Sequence, residues 1–197
     1  MSPLVQPVYT PDEYLRLERS AGHRSEFVNG RIYAMGGASH AHNLIVFNLA
    51  REIGAQLRGR PCEAYVNDMR VKVRQTGIYA YPDLVALCEE PRFEDGDFDT
   101  LLNPTVIIEV LSESTEKYDR GEKFAHYRRL DSLREYILVS QDRQRAEKYV
   151  RDGEGWVLTE VSGAEASLTI ETLGCTIALA EIYERVEFSA PADRERP

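Results

Sequence analysis

Thr105-Val106-Ile107-Ile108-Glu109-Val110-Leu111 is the stretch on which the fold turns. After Thr105 the run is apolar except for one carboxylate. An almost wholly apolar strand is covered on both faces and belongs at the centre of a sheet. A carboxylate inside such a strand is costly unless it is paired or binds a metal, which makes Glu109 the most informative residue of the chain. Downstream, residues 115–131 read as a helix capped by Ser114 or Thr115, with Phe124, Tyr127 and Leu130 on its inner face. Residues 135–139 read as another short buried strand. A helix between two such strands implies a right-handed crossover and a parallel pair.

Upstream, an acidic loop spans residues 89–99, read as a flap or a contact between copies. Before it, Tyr79 to Leu87 reads as a strand candidate with Pro82-Asp83 inside it. Proline removes a ladder donor, so it marks a strand edge, entry or bulge. Arg70-Val71-Lys72-Val73-Arg74 alternates as a strand with one wet face does. Residues 40–58 carry Ile45, Leu49, Ile53 and Leu57 at four-residue spacing, one apolar helical stripe with His42 near its start. Glu26 to Tyr33 is a hairpin turning at Asn29-Gly30. Thr10-Pro11-Asp12-Glu13 is a capping box that opens a helix over 11–20.

Towards the C-terminus, 145–150 and 156–161 form a hairpin at Asp152-Gly153, followed by a strand at 167–171 and a short helix near 179–184. The predicted fold is α/β or α+β: a central mixed β-sheet flanked by helices, with an extra N-terminal helix and hairpin. One domain is expected over 1–188, with 189–197 a disordered tail.

The chain has 197 residues, 43% hydrophobic and 29% charged, which is globular composition. Its net charge of −9 argues against coating nucleic acid through bulk positive charge, but not against an enzyme that acts on it. The N-terminus lacks the features of a signal peptide, and no stretch has the length and apolarity of a membrane span, so a cytoplasmic protein is expected. The three cysteines, Cys62, Cys88 and Cys175, form no zinc pattern and are expected to be reduced thiols.

Asp83 and Glu109 stand on neighbouring strand candidates. Two carboxylates so placed can share one hard cation, because Mg²⁺ takes one or two carboxylates together with water and substrate phosphate. The plainer alternative has Asp83 capping a turn and Glu109 paired with a buried Arg or Lys. His42 either meets the cleft from its helix or is a satisfied core histidine. Arg70, Lys72 and Arg74 share one strand face, and Arg120, Arg128 and Arg129 decorate the second helix. These are phosphate-contact candidates, with Arg70, Lys72 and Arg120 foremost, or else a solvated charged face. A glycoside hydrolase is disfavoured, because its sugar platforms need aromatics and Trp156 is the only tryptophan.

Pro82-Asp83 followed by Glu109-Val110-Leu111 resembles the PD-(D/E)XK nuclease superfamily, whose core has the same order of helix, three strands, helix and strand. More narrowly, the chain resembles the Uma family of bacterial restriction endonucleases. The matching stretches are Glu26-Phe27-Val28-Asn29-Gly30, His42-Asn43-Leu44-Ile45, Tyr81-Pro82-Asp83, Leu102-Asn103-Pro104, Ile108-Glu109-Val110-Leu111-Ser112 and Asp119-Arg120-Gly121-Glu122-Lys123-Phe124. The resemblance covers residues 8 to 187. It implies a restriction endonuclease-like fold, Mg²⁺ or Mn²⁺ held by Asp83 and Glu109, DNA as substrate and a homodimer. The alternative is an inactive module on the same fold, binding nucleic acid or a partner protein.

The superfamily expects a lysine two positions after the acid, where this chain has Leu111. The resemblance supplies Lys123 instead, with Lys117 as rival. Lys123 lies one turn before Tyr127, on or near the inner helix face. The alternative is an ordinary solvated lysine. Glu26 enters as a third carboxylate by its match to the family; on its own it reads as a surface residue of a hairpin.

Overall fold

The structure is a computed structural model that describes residues 7–188. The expected disordered tail at 189–197 lies outside the described residues. The chain opens with α1 (Pro11–Ser20), whose capping box is formed by Thr10 and Glu13. The hairpin β1 (Ser25–Val28) and β2 (Arg31–Ala34) turns at Asn29 and Gly30, both at positive φ, as a tight right-twisted turn requires. Next come α2 (His40–Leu57), β3 (Glu63–Val66), β4 (Arg70–Val73), β5 (Ile78–Ala80), β6 (Leu84–Leu87), β7 (Thr100–Leu101) and β8 (Val106–Leu111). The crossover is α3 (Glu116–Tyr118), a π-helical turn (Asp119–Lys123) and α4 (Phe124–Tyr127). The rest is β9 (Glu135–Ser140), the hairpin β10 (Arg145–Asp152) and β11 (Gly155–Ser162), the hairpin β12 (Ser167–Ile170) and β13 (Cys175–Ala178), and α5 (Leu179–Ile182).

The central sheet has six strands in the order β11-β10-β9-β8-β6-β3. It is mixed: β8 runs parallel to β9 and antiparallel to β6. The early hairpin does not join it. Instead β2-β1-β5-β4-β7 form a second, five-stranded sheet. The stretch read as one strand from Tyr79 to Leu87 is two strands in two different sheets. The break falls at Tyr81-Pro82-Asp83, where proline cannot donate to a ladder and the chain crosses between sheets. Strand β3, which carries no clean alternation, is an element that periodicity did not find.

Each residue of β8 is buried, and alternation sends its side chains to two different cores. Val106, Ile108 and Val110 pack with Ile45, Leu49 and Ile53 of α2 and with the β12–β13 hairpin and α5. Ile107 and Leu111 face the other way, into a core shared with the second sheet, Tyr127 and Tyr136. Glu109 lies between Ile107 and Leu111 on that second face. A third, small core joins Tyr14 and Leu15 of α1 to Phe27 and Tyr79.

Several expectations need correction. Strand β4 has no wet face: Arg70 is 1% exposed, its guanidinium bonded to Thr100, Tyr81 and Asp99 and lying over the ring of Tyr14. It ties sheet to helix and cannot reach a phosphate from there. The acidic loop is tied down, because Arg19 of α1 pairs with Asp95, Asp97 and Asp99 at 2.8 Å each. Nor are all three cysteines reduced thiols. Cys62 and Cys88 form a disulfide and Cys175 is free and buried. Glu63 pairs with Leu87 in the β3–β6 register, which sets the flanking cysteines opposite each other, a relation hidden by their separation of 26 residues. No helix among the described residues is long and apolar enough to cross a membrane.

Candidate active site

In the β6–β8 ladder Leu84 stands opposite Ile108. One step further the same antiparallel register sets Asp83 opposite Glu109, and residues directly opposite project to the same face. The Val110 N–H donates to Asp83 Oδ2 at 2.7 Å, which fixes the Asp83 carboxyl against β8. From the first turn of α2, His42 Nε2 lies 3.2 Å from the same Oδ2. His42 therefore meets the cleft rather than the apolar stripe, and its buried Nδ1 has no partner.

Lys123 reaches this place from the crossover helix. Its Nζ lies 2.9 Å from Glu109 Oε1, 3.1 Å from Glu26 Oε1 and 3.6 Å from Asp119 Oδ1. It is 5% exposed, whereas Lys117 is exposed, so of the two rivals only Lys123 joins the acids. Position 111, where the superfamily pattern expects lysine, points into the core as a buried Leu. Glu26, borne by β1, is 8% exposed and accepts from the Tyr81 N–H at 3.2 Å, so it is not the surface residue its hairpin suggested.

Two members were missed at the level of sequence. Asp119, 3% exposed, stands one turn before Lys123, as Tyr127 stands one turn after. The recurrence at 119, 123 and 127 was the available signal. Tyr127 donates to Glu109 Oε1 at 3.3 Å. The π-helical turn over 119–123 inserts extra backbone where Asp119 and Lys123 face inwards, and such turns are frequent at functional sites. Tyr136 anchors it by donating to the Asp119 carbonyl at 2.9 Å. Tyr118, whose buried hydroxyl has no partner, is the second missed residue, and nothing in the sequence marked it.

The electrostatics follow from crowding charges in a dry place. Burial pushes the Glu109 carboxyl well above the ordinary range, against the pull of Lys123, with Asp119 and Asp83 adding to the rise. Burial also raises Asp119, again opposed by Lys123. For Lys123 burial acts downwards, but Glu109, Tyr127, Glu26 and Asp119 outweigh it and hold the ammonium charged.

Of the other phosphate-contact candidates, Lys72 is paired with Glu94, and Arg120 with Glu116 and Glu147. Neither is part of the cluster. Among the described residues no three His, Cys, Asp or Glu side chains form a ready-made ligand set. Yet the Val110 N–H and the His42 Nε2 contact both fall on Asp83 Oδ2, and both Lys123 and Tyr127 approach Glu109 at Oε1. Asp83 Oδ1 and Glu109 Oε2 thus accept no protein hydrogen bond among the described residues. Two free carboxylate oxygens on adjacent strands fit a hard cation that completes its shell with water and phosphate.

A mixed sheet whose adjacent strands set two acids face to face, beside a helix-borne lysine, defines a protein of the restriction endonuclease-like class. The chain belongs to the Uma2 family, described as "Putative restriction endonuclease", whose model matches residues 11–180. It is similar to two uncharacterized proteins of Synechocystis sp. (strain ATCC 27184 / PCC 6803 / Kazusa). Protein sll1609 is 39% identical over 162 residues, 82% of this chain and 92% of the relative. Protein slr1290 is 32% identical over 183 residues, 92% of this chain and 95% of the relative. The fold matches a crystal structure described as a putative nuclease belonging to DUF820, from Anabaena variabilis ATCC 29413, with a TM-score of 0.71. That match has 16% identity and covers 88% of this chain and 97% of the other.

Proposed function

We propose that this protein is a metal-dependent endonuclease that hydrolyses DNA phosphodiester bonds. The observation that carries the reading is the cross-strand pair of Asp83 and Glu109, each with one carboxylate oxygen free, beside the Lys123 ammonium. Asp83 Oδ1 and Glu109 Oε2 are the atoms that would hold Mg²⁺ or Mn²⁺. When bound, the cation supplies polarisation of the scissile phosphate and acidification of a bound water.

The remaining work falls to the chain's own groups. The Val110 N–H and His42 hold Asp83 by one oxygen and leave the other without a protein donor among the described residues. Tyr127 does the same for Glu109. Lys123, kept charged by its acidic neighbours, places a donor where negative charge develops on the phosphoryl oxygens as water attacks phosphorus and one P–O ester bond breaks. Glu26 positions Lys123 and is itself held by the Tyr81 N–H. Cutting both strands of a duplex favours two copies around a two-fold axis, so a homodimer is part of this reading.

One observation favours a second reading. Lys123 already counters Glu26, Glu109 and Asp119 without any cation, as a purely structural ion cluster would. On that reading the chain is an inactive nuclease-fold module that binds nucleic acid or a protein. The deciding experiment incubates the purified protein with plasmid and linear DNA in Mg²⁺ or Mn²⁺. Cleavage that Asp83→Asn lowers by about a hundredfold or more supports the enzyme, on the scale expected for losing a preorganised electrostatic contact. No cleavage with either cation, and no difference in the variant, supports the inactive module.

A further inference from the structure

At the other end of the central sheet lies a cavity of about 140 Å³ lined by Arg74, Gln75, Arg92, Asp131 and Ser132. Ser132 donates to the Pro104 carbonyl at 2.8 Å, and the Arg134 N–H to that of Thr105 at 2.8 Å, so the cavity sits where β8 and β9 begin. Glu109 is four residues further along β8, roughly 13 Å away at strand rise. The cavity is therefore separate from the Lys123 cluster.

The nearby cations Arg70, Lys72 and Arg120 are taken, by Asp99, by Glu94 and by Glu116 and Glu147. Arg74 and Arg92 pair with no acid among the described residues, although Asp131 lines the same cavity. Both stand on fixed backbone. The Arg92 N–H donates to Asn103 Oδ1 at 2.7 Å, and Asn103 Nδ2 donates to the Glu90 carbonyl at 3.0 Å. Asn103 is 1% exposed, and its stretch, Leu102-Asn103-Pro104, has no part in the candidate active site. Arg74 follows β4 in a turn closed by the Gly77 N–H on the Val73 carbonyl at 2.8 Å. The exposed Arg128, Arg129 and Arg134 add positive charge at the same end.

We propose that this cavity is a phosphate-binding site, taking one phosphate group between the Arg74 and Arg92 guanidiniums with Ser132 and Gln75 at its rim. The planar fork of arginine matches phosphate oxygens two at a time, and a fixed backbone lowers the ordering cost of binding. The phosphate belongs either to a free anion or to a nucleic-acid backbone, and the site does not depend on nuclease activity.

The full chain is titrated with inorganic phosphate and, separately, with a short DNA duplex. Amide shifts in ¹H–¹⁵N spectra locate binding and calorimetry measures it. The expected result is saturable shifts at residues 74–75, 92 and 131–132, with affinity lowered about tenfold or more in Arg74→Gln/Arg92→Gln, the scale of one or two charge-assisted hydrogen bonds. Arg74→Lys/Arg92→Lys keeps the charges but not the planar forks and binds with an affinity between those of the parent and the Gln pair, which separates lost charge from lost folding. Saturation by phosphate alone identifies a free anion, and saturation by duplex that phosphate competes away identifies a backbone phosphate. Asp83→Asn, at the other end of the sheet, leaves the affinity for inorganic phosphate alone unchanged. Shifts confined to the Lys123 cluster, phosphate affinity lost in Asp83→Asn, or equal affinity in the Gln pair and the parent would overturn the proposal.

Discussion

Burying the Lys123 ammonium removes its hydration, and among the described residues Glu26, Glu109 and Asp119, with Tyr127, compensate. Removing one partner of a buried charge cluster strands the others, at a typical cost of about 3–5 kcal/mol. Lys123→Met is therefore expected to lose stability on that scale at neutral pH, with the deficit shrinking in acid as the stranded carboxyls protonate; urea unfolding at several pH values measures it. Glu109 gives a prediction of definite sign. Its folded pKa is raised above 4.5, so its contribution to stability is full below that value and is lost as pH rises through the folded pKa. Glu109→Gln does not titrate. Its stability relative to the parent should thus improve as pH rises from about 4.5 through the folded pKa, while the proposed cleavage is lost. A flat difference across that range would show that the Glu109 carboxyl is not raised in the folded protein.

At the scale of elements, the devices that bring the cluster together are breaks in regular structure. Pro82 ends one sheet and lets Asp83 enter the other, and the π-helical turn aims Asp119 and Lys123 inwards. The Pro82 break was legible as a strand edge, because proline has no N–H to give. The π-helical turn was not, since its helical spacing looks the same in sequence until the packing is known. The apolar strand at 106–111, the hairpin at Asn29-Gly30 and the stripe of α2 were legible, each resting on a local period or turn rule. The Cys62–Cys88 link was illegible because it follows from β3–β6 register, a long-range property. Closing a loop of that size restrains the unfolded chain by about 3 kcal/mol. Cys62→Ser/Cys88→Ser, or the parent in strong reductant, is expected to lose about that much, seen as a lower midpoint in thermal unfolding. An unchanged midpoint would mean the link contributes nothing to the fold.

Across the whole molecule, the net charge of −9 is unevenly placed. Acids gather around Lys123 at one end of the central sheet, while arginines without an acidic partner among the described residues gather at the other, around Arg74 and Arg92. The five-stranded sheet carries Glu26 to the first end and fills a core, and its separation from the central sheet was beyond reach of sequence because strand pairing is non-local. The candidate pair Asp83 and Glu109 stands out in the sequence because an acid in an apolar strand conflicts with its surroundings. Arg70 was misjudged for the opposite reason: alternation suggested water on a face that is covered by α1 and the Asp99 loop. The account rests on Asp83 and Glu109 sharing one cation. Crystals soaked in Mn²⁺ and measured at its absorption edge test this directly. One anomalous peak is expected within ligand distance of Asp83 Oδ1 and Glu109 Oε2, absent in Asp83→Asn. No peak at that position, or one that persists in the variant, would contradict it.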